Sequence, residues 1–286
     1  MDPFWRSSKY GAFQQLQIFS IVTALAHAGQ ASAILAFRKD YKIPTYYSLL
    51  AWPNRDNPVQ SFTPFKVTTG SVSLEGCIAA FFFLSFAFQF LTVTLFWNTY
   101  SYLLRYRFMQ PFRFVEYAFS AGLMTIIFGL LVGIQQTDFL VVLYSGMATV
   151  MLLGLLQEYM PYFKTLAADN FTILEFLLPH FIGWILFLSI VFVFISRFSL
   201  IVNHSLSKPP VWVYGMYASQ FVVFGSFGLN QLIQQFRLYK HIREEKKCAR
   251  IAVQHEAVYV ILSLAAKSVL AWLLYVNMLA ERKVSF

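Results

Sequence analysis

Long apolar stretches, separated by short polar connections, make up most of the chain. Seven of these stretches are long enough to cross a bilayer, which takes about 20 helical residues. They cover residues 13–37, 77–104, 114–134, 139–159, 171–195, 211–232 and 257–279. The pattern predicts an all-α membrane protein whose seven transmembrane helices form a single domain over residues 1–286.

Composition agrees with that prediction. The chain has 286 residues, of which 58% are hydrophobic and only 12% are charged, whereas soluble domains carry roughly 25% charged residues. Residues 1–11 are polar and the first apolar stretch is long, which argues against a cleavable signal peptide. Cys77 and Cys248 fall on opposite membrane faces in this arrangement, so no disulfide is expected. No cysteine–histidine pattern suggests a metal site, and no nucleic-acid partner is expected.

The connection over residues 38–71 is the one sizeable region outside the predicted helices. Its four prolines, Pro44, Pro53, Pro58 and Pro64, exclude a long helix. Aromatic and alternating residues at 46–50 and 61–63 predict a short β-hairpin in this first outer loop. An ordered connection of this length is often functional or part of an interface.

The basic residues indicate the orientation in the membrane. Connections on the side of the N-terminus carry twelve Lys and Arg residues, against nine on the other side, or four without residues 38–71. Positively charged connections tend to stay in the cytoplasm, so we expect a cytoplasmic N-terminus and an extracellular C-terminus. The basic cluster between Arg237 and Arg250 is either an ordinary inside anchor or a site for anionic lipid or a cytosolic partner.

Lys267 is an isolated charge within the last apolar stretch. A lysine at mid-bilayer depth costs roughly 2.5–3.5 kcal/mol, so such residues usually have a function or a partner. The one comparably placed opposite charge is Glu116, which shares a helical face with Ser120 and Met124. Both helices run in the same direction, and side chains lean toward their helix N-terminus. We therefore expect Lys267, with Ser263 one turn before it, to reach Glu116.

A lone lysine in the final helix, with one carboxylate within reach, suggests a retinal Schiff base and its counterion. The alternative is a structural Glu–Lys ion pair. Another aldehyde is also chemically possible, but the chain contains no phosphate-binding loop for pyridoxal phosphate.

Two longer motifs and several short ones carry a resemblance to a known family. The longer ones are residues 113–117, followed by Ser120 and Met124, and residues 259–272 around Lys267. The short ones are Gly228-Leu229-Asn230-Gln231, Gln157-Glu158, and His27 with Gln30. The chain resembles heliorhodopsins, which are retinal proteins inverted in the membrane relative to other microbial rhodopsins.

The resemblance implies a rhodopsin-like bundle that binds all-trans retinal and forms a homodimer; a monomer whose loop caps its own helices is the alternative. It implies that Lys267 carries retinal, that Glu116 is the counterion, that Ser120 and Ser263 are polar neighbours, and that Met124 and Phe224 line the polyene. For Met124 and Phe224, ordinary packing remains the alternative.

An inner polar cluster is also implied by the resemblance. Its expected members are His27, Gln30, Gln89, Arg113 and Asn230. Heliorhodopsins commonly have a second histidine where this chain has Gln89. Glutamine takes up no proton at neutral pH, so proton storage by a histidine pair is in doubt.

The resemblance favours a sensory photoreceptor with an unidentified signalling partner over a pump. Eleven residues after Glu116, where pumping rhodopsins place a proton donor, the chain has the apolar Ile127. A light-gated passive proton channel is the alternative. Glu158, Glu175, His180 and Glu256 lie near segment ends, where they either extend a polar path or are solvated at the interface.

Classes without photochemistry are less well supported. The last stretch lacks the Asn-Pro-x-x-Tyr motif of G-protein-coupled receptors, and repeated halves typical of secondary transporters are absent from the sequence. Nothing in the sequence indicates an enzyme.

Overall fold

The computed structural model describes residues 11–39, 41–50, 64–166, 172–205 and 208–281. Within these ranges the chain forms eight α-helices, one π-helical turn and two β-strands. The helices are α1 (Ala12–Ala36), α2 (Leu74–Val93), α3 (Trp97–Tyr102), α4 (Pro111–Leu131), α5 (Thr137–Leu166), α6 (Ile173–His204), α7 (Val211–His241) and α8 (Glu245–Glu281). The π-helical turn (Leu103–Arg107) follows α3, and the strands are β1 (Lys42–Leu50) and β2 (Pro64–Ser73).

The stretch at residues 77–104 is not one helix, as the sequence pattern predicted. It is divided into α2, the short α3 and the π-helical turn, so eight α-helices are present among the described residues rather than seven. The Thr94 backbone N–H still donates to the Phe90 carbonyl at 3.0 Å, but the Phe96 N–H donates to the Leu91 carbonyl five residues earlier, so the α-helical hydrogen-bond register ends here. Phe108 then adopts a left-handed conformation with φ of 59°, which ends the π-helical turn.

Six described helices, α1, α2, α4, α5, α6 and α8, are long and apolar enough to cross a membrane. The stretch at residues 211–232 lies in α7, which is long but less apolar. Its buried amide side chains explain the difference: Gln220, Asn230, Gln231, Gln234 and Gln235. Two of them bond to neighbouring backbone, from Gln220 to the Ala266 carbonyl at 3.1 Å and from Gln231 to the Gly154 carbonyl at 2.7 Å. The polar residues of α7 therefore face the bundle.

Consecutive long helices pack side by side, and α1 contacts both α2 and α8, which closes the bundle. Helix α4 is the most buried of the candidate spans and lies between α2 and α5. One large apolar core fills one half of the bundle and includes Phe81, Phe82, Ile127 and Phe128. A smaller apolar cluster around Leu16, Tyr100, Leu238 and Ile251 occupies the other end.

Strands β1 and β2 form an antiparallel hairpin with a bulge between Thr45 and Tyr46. The backbone N–H of Tyr46 donates to the Gln135 carbonyl at 3.0 Å, which fixes the hairpin on the α4–α5 connection. We call this side of the bundle the hairpin end and the opposite side the distal end. The predicted strand at 46–50 lies within β1, whereas 61–63 lies outside the described residues and β2 begins at Pro64. A hairpin in the first connection is thus confirmed.

A side chain from α5 forms hydrogen bonds with the backbone of α6 where a proline interrupts that helix. Pro179 lies inside this helix, which begins at Ile173 behind a capping box of Thr172 and Glu175. From α5, the fully buried Gln157 donates to the Phe176 carbonyl at 2.8 Å and accepts from the His180 N–H at 3.2 Å. The amide of Gln157 therefore joins α5 to α6 at the proline.

Replacing Gln157 by leucine is expected to lower the thermal unfolding midpoint of the purified protein. The change leaves the Phe176 carbonyl and the His180 N–H unpaired in an apolar setting, and each such group costs about 1–3 kcal/mol. The matched control is Leu156→Ala, because Leu156 is exposed on the same helix. Equal unfolding midpoints for the two variants would contradict the role given to Gln157.

Candidate functional site

Lys267 and Glu116 form a buried ion pair between α8 and α4. The Lys267 Nζ lies 2.8 Å from the Glu116 Oε1, and the two residues are only 3% and 6% exposed. The lean of both side chains toward their helix N-termini produces this contact, as the sequence argument predicted. A buried charge needs a partner, so each residue requires the other in place.

Two hydrogen bonds and one aromatic contact, from three helices, hold the pair. The Lys267 Nζ donates to the Ser263 Oγ at 3.0 Å, one turn earlier on α8. From α2, the Ser85 Oγ donates to the same Glu116 oxygen at 2.8 Å. The ring of Tyr117 lies 5.1 Å from the Lys267 Nζ, a distance suited to cation–π attraction. The predicted neighbour Ser263 is thus in contact with the pair.

Sequence reasoning missed Ser85 and Tyr117. A signal for Ser85 was present, because it lies one helical turn before Gln89 on a mostly apolar stretch. Tyr117 directly follows Glu116, but adjacent helical residues do not normally share a face. The predicted neighbour Ser120 is buried, and its hydroxyl has no partner among the described residues.

A cavity of about 850 Å³, which includes space open to the outside, begins at the ion pair. Its walls are mostly apolar and aromatic, and its polar groups include Lys267, Ser120 and Ser263. Ligand pockets typically combine such an apolar lining with a small number of placed polar groups. The apolar wall includes Met124, Met151, Trp184, Phe187, Phe224 and Phe227. Met124 and Phe224, which the resemblance implied as residues along the polyene, are both in this wall.

Glycines let aromatic rings approach the helix backbones along this cavity. A Cβ on Gly154 would lie 2.4 Å from the Phe114 ring, and one on Gly228 would lie 2.7 Å from the Trp184 ring. Both distances are shorter than van der Waals contact, so a larger residue would push the rings into the cavity. The chain's residues thus suit an apolar ligand with a carbonyl end that reaches the Lys267 amine.

The profile of the heliorhodopsin family matches residues 16–279, nearly the whole chain. The chain belongs to the heliorhodopsin family. Comparison with curated proteins returns no match. Family membership makes the chain a rhodopsin-like, retinal-binding and light-sensing membrane protein, consistent with its six apolar helices. The resemblance deduced from the sequence motifs is confirmed.

This heliorhodopsin has a second cavity, of about 470 Å³, on the distal side of Glu116. Unlike the first, it is lined largely by polar and charged side chains: Ser20, Ser85, Gln89, Thr92, Tyr100, Gln110, Arg113, Glu116, Tyr117, Glu256 and Ser263. Glu116 and Ser263 line this cavity and Ser263 also lines the first, so the ion pair stands between an apolar space and a polar one.

Arg113 is the centre of a buried charge cluster at the second cavity. Its guanidinium forms ion pairs with Glu158 on α5 and Glu256 on α8. The ring of Tyr259 lies 3.7 Å from the guanidinium carbon. Glu158 and Glu256 are 0% and 5% exposed, so interface solvation is the wrong interpretation for these two carboxylates. Glu175, in contrast, is fixed in the exposed capping box of α6.

The residues predicted to form one inner polar cluster lie in several places. Gln89 and Arg113 both line the second cavity. The others have separate contacts: His27 packs against the Phe82 ring with centroids 5.7 Å apart, Gln30 accepts from Trp272 at 2.9 Å, and Asn230 bonds with His255 at 2.7 Å. The structure therefore brings only two of the five predicted members together at one cavity.

Replacing Ser85 by alanine is expected to shift the visible absorption maximum to shorter wavelength. The change removes a hydrogen bond from Glu116, which concentrates negative charge next to Lys267 and stabilises the ground state of the pigment. Ser226→Ala is the matched control, because the Ser226 hydroxyl donates only to the Val222 carbonyl on an exposed face. An unchanged maximum in Ser85→Ala would exclude this role.

Proposed function

We propose that this heliorhodopsin is a light sensor in which Lys267 holds all-trans retinal as a protonated Schiff base and Glu116 is its counterion. The observation that carries the proposal is the buried Lys267–Glu116 pair at the end of an apolar cavity. Attachment joins the lysine amine to the retinal aldehyde and releases one water. Bound retinal supplies visible absorption and photoisomerisation.

The chain's own residues hold charge and shape around that attachment point. Glu116 supplies the compensating anion, Ser85 restrains one of its oxygens, and Ser263 accepts from the Lys267 nitrogen. Ser120 adds a free hydroxyl to the cavity wall, while Met124 and Phe224 provide apolar contact along it. The Lys267–Glu116 contact is therefore more than a structural ion pair in this proposal.

A sensor without active pumping agrees best with the distribution of polar groups. A pump needs proton acceptor and donor groups on opposite sides of the Schiff base. Toward the hairpin end, Ile127 is 0% exposed and Phe128 is 2% exposed within the large apolar core. The polar second cavity lies on the other side of Glu116. Among the described residues, the polar groups that line a cavity next to Glu116 thus lie on the distal side, whereas the buried Glu75 of the hairpin end, at the start of α2, is held by backbone N–H groups.

The second cavity also supports one alternative function, a light-gated passive proton channel. A channel needs a continuous wetted path but no ordered donor and acceptor. The cavity supplies part of that path, from Glu116 toward Arg113 and Glu256. Opening the apolar core around Phe81, Ile127 and Phe128 would have to supply the rest.

We further propose seven transmembrane helices with the N-terminus in the cytoplasm and the C-terminus outside. The six apolar helices and the inward-facing amides of α7 support the helix number. The excess of Lys and Arg in the distal connections supports the orientation. Tags at both ends, probed on intact cells, test it, because only the C-terminal tag should be accessible from outside.

A homodimer is the proposed assembly, with the hairpin at or near the contact. Several large apolar side chains of the hairpin are exposed: Tyr47, Leu49, Leu50, Phe65 and Val67. Burying such a surface is favourable. Native mass measurement on a chain lacking residues 44–64 tests the assignment, since an unshifted dimer would place the contact on helix faces.

Replacing Lys267 by alanine is expected to abolish visible absorption after addition of retinal, because no amine remains in the cavity to form the Schiff base. Far-UV circular dichroism checks that the variant is folded. Lys247→Ala is the matched control, since Lys247 is exposed on the first turn of the same helix. A visible band that persists in Lys267→Ala would exclude the attachment site.

Replacing Glu116 by glutamine is expected to destabilise the protonated Schiff base, because an opposite charge close by favours the charged form. Titration of the visible band should show loss of the Schiff-base proton at a lower pH than in the wild type, or else a strong red shift of the band. Glu175→Gln, a change in the exposed capping box, serves as the control. An unaltered spectrum and titration would identify another anion as counterion.

Photocurrent recordings distinguish the sensor from the alternatives. We expect no sustained current at zero voltage and zero proton gradient, because the hairpin end lacks a polar path. A passive channel would give current that reverses at the proton equilibrium potential. Sustained current without any driving force would refute the absence of pumping, and Glu158 and Glu175 would then be the first residues to mutate.

A further inference from the structure

The buried charges of the distal half do not balance if every group is ionised. Among the described residues, and with the buried histidines counted as neutral, the buried charged groups on this side are the cations Arg113 and Lys267 and the carboxyls Glu116, Glu158 and Glu256. His255, next to Glu256, is neutral in this arrangement because its Nε2 faces the Arg237 guanidinium, which can only donate. Glu75 is also buried but lies at the hairpin end, where it accepts from the Tyr41 N–H at 2.9 Å. Full ionisation would leave one uncompensated negative charge away from water, which is strongly unfavourable.

One proton therefore belongs to this group of three carboxyls. Glu116 does not carry this proton, because its carboxylate accepts hydrogen bonds from the Lys267 ammonium at 2.8 Å and from the Ser85 hydroxyl at 2.8 Å. Glu158 is equally well supplied as an anion. It accepts from the Arg113 guanidinium, from the Gln110 backbone N–H and from the Gln234 side chain.

Glu256 has the weakest set of donors. Apart from its contact with the Arg113 guanidinium, from which the carbonyl oxygen of a neutral carboxyl can also accept, it receives one long hydrogen bond among the described residues, from the Tyr100 hydroxyl at 3.4 Å. It also lines the second cavity, where Gln110 Oε1 and Arg113 Nε are buried without partners among the described residues. The same cavity therefore contains an unpaired acceptor, the Gln110 oxygen, and an unpaired donor, the Arg113 Nε–H, which are the two kinds of group that a carboxylic acid needs.

We propose that Glu256 is a carboxylic acid at neutral pH and that it is the proton-holding site of the second cavity. The titratable and charged groups near it are Tyr100 of α3, Arg113 of α4, Glu158 of α5 and Tyr259 of α8. Helices α1 and α2 contribute the uncharged Ser20, Ser85, Gln89 and Thr92 to the same cavity, and Gln234 of α7 lies beside Glu158. His255 precedes Glu256 but faces Asn230 and Arg237. Release of the proton leaves a carboxylate that pairs with Arg113.

This inference goes beyond the proposed function and does not depend on it. Lys267 contributes one positive charge either as a free ammonium or as a protonated Schiff base, so the charge count is the same in both. A measurement in the dark on the full-length protein in lipid bilayers therefore tests Glu256 without any assumption about the photocycle.

Infrared spectroscopy detects a buried carboxylic acid by its carbonyl stretch, which shifts in heavy water. We expect this band in the wild type and its loss in Glu256→Gln. Glu158→Gln should also lose the band, because removing one anion allows Glu256 to ionise against Arg113. Glu175→Gln is the matched control and should keep the band, since Glu175 is exposed and far along the chain.

Glutamate-to-aspartate variants identify the carboxyl group that carries the proton, even if a glutamine variant fails to fold. Glu256→Asp should move the carbonyl band, because the acid itself has changed position, whereas Glu158→Asp should leave it in place. Absence of the band in the wild type would overturn the proposal. So would a band that persists in Glu256→Gln or moves only in Glu158→Asp.

Discussion

A charge buried in a membrane protein must find its partner inside the protein, and the Lys267–Glu116 contact shows how this constraint organises the bundle. Neither helix could hold its charged residue alone without a large cost in desolvation. The contact joins α8 to α4, and the Ser85 hydroxyl brings in α2. Three helices are thus fixed around one point, and the apolar cavity begins there.

The two halves of the bundle differ in the number of buried charged side chains, each of which needs a partner inside the protein. Arg113 gathers Glu158 and Glu256 on the distal side of the pair, and the amides of α7 turn toward this region. Toward the hairpin end, the buried charged side chain among the described residues is Glu75, which accepts from the Tyr41 N–H at 2.9 Å, and the core there includes the fully buried Phe81, Phe82 and Ile127. The described polar groups next to the pair are therefore concentrated on the distal side, a distribution that supports the proposed sensor over a pump.

Helical spacing in the sequence was sufficient to predict the central pair, because Glu116, Ser263 and Lys267 each lie on a face that one helix defines. It was not sufficient for contacts among several helices. The Arg113 cluster joins α4, α5 and α8, and spacing along each helix does not reveal which faces meet. The break after Val93 is a change of backbone hydrogen-bond register inside an apolar stretch, where hydrophobicity carries no boundary signal. The low hydropathy of α7 likewise comes from its amide side chains. The sequence contains these amides, but only the packed structure shows that they face the bundle.

Gln89 shifts the question of proton storage from histidine to carboxyl groups. Its amide donates to the Thr23 hydroxyl at 2.7 Å, and that hydroxyl donates to backbone carbonyls of α1. These groups pass on hydrogen bonds but hold no charge at neutral pH. His27 lies apart from the second cavity and packs on Phe82. Glu256 and Glu158 share the one buried cation Arg113 between two carboxyls, which makes this group the candidate for proton storage at the second cavity.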